Sequence, residues 1–198
     1  MSVKRPVLAG FVLGAIIIFV PITIVSAATA STTISSQVSS VIGLLTTNGT
    51  VNINAIPTSG GVQTIASDTV TVSTNDSAGF TLQLAETSGS SNLVSGGDTI
   101  AASSGTKASP IAALVNTWGY RVDGLGGFGA GPTSGASNAA IGGIKFAAVP
   151  ATGSPDTLKT TSAAASNVTT TVWYGVAVDI TQPSGTYTNS VTYTATAN

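Results

Sequence analysis

The chain has 198 residues, of which six are Lys or Arg and seven Asp or Glu, with no His and no Cys. Those absences remove a disulfide framework, a thiolate nucleophile, a zinc–thiolate site, the usual general base and the commonest metal ligand. At 42% hydrophobic, with 56 Ser and Thr, the chain can build a core under a polar, uncharged surface, and it lacks the basic patch that nucleic acid requires.

Residues 1–30 read as an address. Lys4 and Arg5 precede an apolar run over 7–25, and Pro21 breaks that run shortly before two small-x-small sites. This is the pattern of a secretory signal, with cleavage expected after Ala27 or Ala30. The run is also long enough to stay as a membrane anchor, which would be the chain's one membrane contact. A third alternative is type IV pilin-like processing at Gly10-Phe11, although Ala15 stands where that family expects Glu.

Residues 31–198 read as a single β domain. Ile34, Val38, Ile42 and Leu44 suggest a long first strand, and Val51 and Ile53 alternate with asparagines. Val70 and Val72 alternate with threonines. The 75–79 Asn-Asp-Ser-Ala-Gly turn follows, and then Phe80, Leu82 and Leu84 alternate again. Trp118, Tyr120 and Val122 make another face, and Ile144 and Phe146 a shorter one; a helical turn fits 110–115. Residues 124–143 hold eight glycines without alternation and read as a long loop, of the kind that often carries function.

The clearest signal is 168–180. Val168, Val172, Tyr174, Val176, Val178 and Ile180 share one parity, a period of two that no helix produces. After a Gln-Pro-Ser-Gly turn, Tyr187, Val191, Tyr193, Ala195 and Ala197 repeat it, which predicts a hairpin. About seven to nine strands with turns between them predict an all-β, two-sheet sandwich.

Motifs that resemble chemistry lack their context. Gly124, Gly126 and Gly129 match a dinucleotide fingerprint, but Pro132 and Gly135 follow where a helix must start. Ser104 and Lys107 match a Ser/Lys acyl-transfer core, but in a small-residue loop that would leave the lysine solvated. An oxygen-only Ca²⁺ site at Asp76, Asp98 or Asp123 has no loop signature behind it. No catalytic residue, cofactor or metal is therefore expected. The candidate binding residues are the aromatics Trp118, Tyr120, Phe128 and Trp173, which could stack on a glycan or anchor a protein. Trp173 faces away from Val172 and Tyr174, and becomes core if its strand is covered on both faces.

The runs DTVTVSTNDSAGFTLQLAE, TWGYRVDGLGGFGAGPTS and VWYGVAVDITQPSGTYTNSVTYTATAN resemble a group of exported, Thr-rich cell-surface proteins of small-genome bacteria. The closing PSGTYTNSVTYTATA is more weakly similar to spore coat protein U-type and chaperone–usher pilin domains. That likeness implies an immunoglobulin-like (Greek-key) sandwich and assembly by strand donation. The expectation is a secreted or cell-surface structural or adhesive protein that meets a protein or glycan partner or its own copies. Residues 31–47 are the expected donor segment. The alternative is a carbohydrate- or host-surface-binding module using the loop 124–143.

Overall fold

The computed structural model describes residues 27–198 apart from Gly61 and Ala113, so the apolar run 7–25 lies outside the described residues. The chain divides into two compact units, Met1–Gln37 and Val38–Asn198. In the first unit the described residues 27–37 are exposed and carry no strand.

The second unit is all β, with no helix among the described residues. Its ten strands are β1 (Ile42–Thr46), β2 (Gln63–Thr74), β3 (Phe80–Glu86), β4 (Leu93–Ser95), β5 (Asp98–Ala102), β6 (Thr117–Val122), β7 (Ala136–Ala139), β8 (Asp156–Thr160), β9 (Ala165–Ala177) and β10 (Val191–Ala197). The larger sheet runs β1-β2-β9-β6-β5-β4, with β7 also on β2; the smaller runs β10-β3-β8. All pairings are antiparallel except β5 with β6.

Alternation explains the layering. Val70 and Val72 of β2, Val172, Tyr174 and Val176 of β9, and Trp118, Tyr120 and Val122 of β6 face one way. Phe80, Leu82 and Leu84 of β3 and Leu158 of β8 meet them from the smaller sheet. Each such side chain contributes roughly 1.5–3 kcal/mol by leaving water. The hydroxyls of Tyr174 and Tyr193 lie 2.7 Å apart and tie β9 to β10.

The larger sheet is also covered on part of its other face. Ile65, Leu114, Phe146 and Ala177 form a second cluster there, so β9 is buried on both faces from Val172 to Ala177. Two glycines admit this cover: a Cβ at Gly175 would lie 2.5 Å from the Phe146 ring, and one at Gly119 2.5 Å from the Ala147 carbonyl oxygen.

Several expectations need correction. There are ten strands rather than seven to nine. The predicted hairpin of 168–180 with 187–197 is absent, because β9 and β10 belong to different sheets and the connection crosses between them. Alternation reports only that a strand has one greasy face, and that holds equally for a crossover. Ile180 is 82% exposed and lies beyond the end of β9. The first strand is short, with Ile34 and Val38 outside it. Val51 and Ile53 pack against the core on chain that forms no ladder. Within 110–115, Ile111 bridges Phe146 instead of starting a helical turn. The glycine-rich segment 124–143 contains β7.

Candidate interaction surface

The four predicted binding aromatics are all buried. The Trp118 indole donates to the Ser91 carbonyl at 2.7 Å, and its ring stacks on Tyr174 at 6.4 Å. The Tyr120 hydroxyl donates to Asp156 Oδ2 at 2.6 Å. Burial, and then the Asp156 carboxylate, push the Tyr120 pKa far above the ordinary tyrosine value. Phe128 meets Tyr120 edge-on at 5.4 Å. None of these three presents a ring face to a ligand, because a chain with few aromatics spends these rings on its core. Trp173 is buried too, but it borders a cleft.

The discounted motifs stay apart from chemistry. Lys107 pairs with Asp156 at 3.3 Å and donates to the Thr157 carbonyl at 3.2 Å, while Ser104 is exposed. Asp76 caps its own turn, accepting from the Ala78 amide at 2.8 Å. Among the described residues no group of three or more Asp, Glu, His or Cys converges on a point. Ala27 and Ala30 are exposed, and no described helix is long and apolar enough to cross a membrane.

The sequence reading missed Arg121, which is fully buried in β6. Its guanidinium donates to the carbonyls of Gly129 at 2.9 Å, Phe128 at 3.3 Å and Lys145 at 3.5 Å, and sits 5.9 Å from the Phe128 ring centre. Burial lowers its pKa, and Asp123, 3.9 Å away, partly opposes that shift. Arg121 thus staples the glycine-rich segment to the sheet. The available signal was a lone charge inside TWGYRV.

The same segment walls a cleft of about 530 Å³. The cleft exists because β6 ends at Val122, opposite Val172, while β9 runs on to Ala165. Over residues 165–171, β9 therefore has β2 on one side and no strand on the other. The direction of its backbone groups follows from the register. Trp118 and Tyr120 turn theirs away from β9, toward Ser103 and Ala147. Gly119 and Arg121 must then face β9, opposite Gly175 and Trp173. Thr169 and Thr171 share the parity of Trp173, so their N–H and C=O groups point into the strandless side. Val122, Leu125 and Leu158 line the cleft beside them, with Asp123 and Lys159 at its rim.

On the opposite edge of the same sheet, β1 is already docked in its own chain. Ile42 pairs with Thr74 and Thr46 with Val70. Asn75 and Asp76 pin the residues before it: Val41 N donates to Asn75 Oδ1 at 2.7 Å, Asn75 Nδ2 to the Ser39 carbonyl at 2.9 Å, and Ser40 Oγ to Asp76 Oδ2 at 2.9 Å. Upstream of Ser39 the described chain has no strand partner. There Ile34 is 91% and Val38 81% exposed.

No family model, curated protein or solved structure matches this chain.

Proposed function

We propose that this chain is a non-catalytic structural subunit of a bacterial cell surface, exported by residues 1–30, that assembles with its own copies through an extended N-terminal segment. The observation that carries the reading is the exposed arm before Ser39, which holds Ile34 and Val38 out in water with no partner strand. Apolar side chains on unpaired, β-prone backbone are stabilised by joining a sheet edge. The expected donor 31–47 narrows accordingly: its second half is β1, paired within the chain, and the free part is 31–38.

An immunoglobulin-like Greek key is the finer fold we favour. Its support is the passage of the chain from β9 in one sheet to β10 in the other, and the adjacency of β2 and β9, far apart in sequence. The glycan-binding reading loses its aromatic platform, since Trp118, Tyr120, Phe128 and Trp173 are buried. Retention of 7–25 as an anchor, or pilin-type processing, leads to the same surface role with a different attachment. N-terminal sequencing of the cell-derived protein separates the three.

The test is assembly state. Mature protein starting at Ser31 should form concentration-dependent oligomers by light scattering. A chain starting at Ser39 should be monomeric with an unchanged melting temperature. A mature protein that is monomeric at millimolar concentration, or oligomers that persist without 31–38, would refute the assembly role.

A further inference from the structure

We propose that the cleft beside Thr169 and Thr171 is a strand-docking slot that receives residues 31–38 of a second copy. The inference rests on the assembly reading above and names its acceptor.

Backbone accounting points to a strand. A sheet normally pairs its interior N–H and C=O groups with neighbouring chain. Here two residues of a central strand present both groups to a cleft, with β6 ending just short of them. Another extended backbone matches that row of alternating donors and acceptors. The walls give the slot a sidedness. Val122, Leu125 and Leu158 sit toward the space between the sheets, while Thr169 and Thr171 carry their side chains on the outer face.

The arm has the matching pattern. Ile34 and Val38 share one parity, as do Thr32 and Ser36, whereas Thr33, Ser35 and Gln37 occupy the other. Laid along β9, the arm would turn Ile34 and Val38, with Thr32 and Ser36, toward the inner wall and Thr33, Ser35 and Gln37 outward beside Thr169 and Thr171. Ile34 and Val38 lie about 13 Å apart along a strand, against a stretch of seven β9 residues without a β6 partner, regular from Val168 to Thr171 and bulged at Asn167. The arm 31–38 has no charge and no proline, and the slot rim balances one carboxylate against one ammonium, so neither side repels the other.

The donor is another copy because the chain's own arm is short. It leaves from Ser39, pinned beside β1 on the far side of β2. The strandless side of β9 lies about three strand spacings away, roughly 14 Å. The residues needed to cross that distance are those the slot would pair.

Cysteine cross-linking tests this directly, because the chain has no native cysteine. The arm variant Ser35→Cys is mixed under mild oxidation with Thr169→Cys or Thr171→Cys, and with Thr194→Cys on the exposed face of β10 as control. We expect a mixed disulfide dimer with a slot variant at least ten times faster than with the control. Equal rates at Thr194→Cys, or no bond at either slot position, overturn the slot assignment. If the chain starting at Ser39 is monomeric while the slot variants do not cross-link, assembly by the arm stands and only its acceptor is wrong. A double variant Ser35→Cys/Thr171→Cys that closes within a monomer at a rate independent of concentration overturns the second-copy donor.

Discussion

Arg121→Ala probes the link between the core and the slot. The guanidinium is wholly buried and holds two carbonyls of the glycine-rich segment, Gly129 at good distance and Phe128 at a longer one, and the Lys145 carbonyl just beyond it. A hydrogen bond from a charged donor contributes about 1.5–3 kcal/mol, so the Gly129 bond alone supplies most of that, and the longer two add less. Truncation also leaves a cavity against Phe128. Removing the buried cation spares its desolvation cost, which offsets part of the loss. The net expectation is about 3 kcal/mol of destabilisation, or roughly 6–12 °C in melting temperature for a domain of this size. Arg121→Met keeps most of the volume and should lose about half as much. Urea unfolding followed by circular dichroism measures both, and hydrogen exchange should show faster opening over 124–131 with β2 and β9 protected. If Arg121→Ala lies within 0.5 kcal/mol of wild type, the guanidinium is not the staple described here.

Four further outcomes follow from the packing and hydrogen bonding. Gly175→Ala places a Cβ 2.5 Å from the Phe146 ring and should cost about 1–3 kcal/mol; adding Phe146→Leu should recover part of it in a double-mutant cycle. Tyr193→Phe strips the Tyr174 hydroxyl of its partner between the sheets and should cost about 1–3 kcal/mol in urea unfolding. Burial raises the pKa of Tyr120, Tyr174 and Tyr193 above the ordinary 10.0. The neutral hydroxyl is thus favoured in the fold, so stability is held below pH 10 and falls as pH rises above it, and these three should resist ionisation at about pH 11 in a spectrophotometric titration. Asp179 behaves oppositely. Thr181 and Asn116 hydrogen bonds lower its pKa below the ordinary 3.8, so its contribution is present above that value and is lost as pH falls through the depressed one. Carboxyl NMR should place its midpoint below 3.8.

Alternation made the strands around Val70, Phe80, Trp118, Val172 and Val191 legible, because each buries one face and a two-residue period is local information. It also signalled that Trp173 would be core if its strand were covered on both faces, as it is. What alternation could not carry was partnership. The runs 168–180 and 187–197 look like a hairpin because a turn and two periodic segments look alike whether the chain folds back or crosses between sheets. Arg121 was unreadable for a related reason: a cation between Tyr120 and Val122 is solvated or buried according to what covers the outer face. That cover comes from Phe146 and the glycine-rich segment, distant in sequence. The binding aromatics were misplaced by the same gap.

From composition and order alone follow the loss of thiol and imidazole chemistry, the β class and the apolar parity of most strands, since each depends only on residue type and spacing. Tertiary structure decided that β9 outruns β6, that Thr169 and Thr171 face a strandless side, and that β1 is taken while 31–38 is free. Those are relations of register between segments as far apart as Thr64 and Val176, and a side-chain period of two repeats identically under every register that keeps its parity.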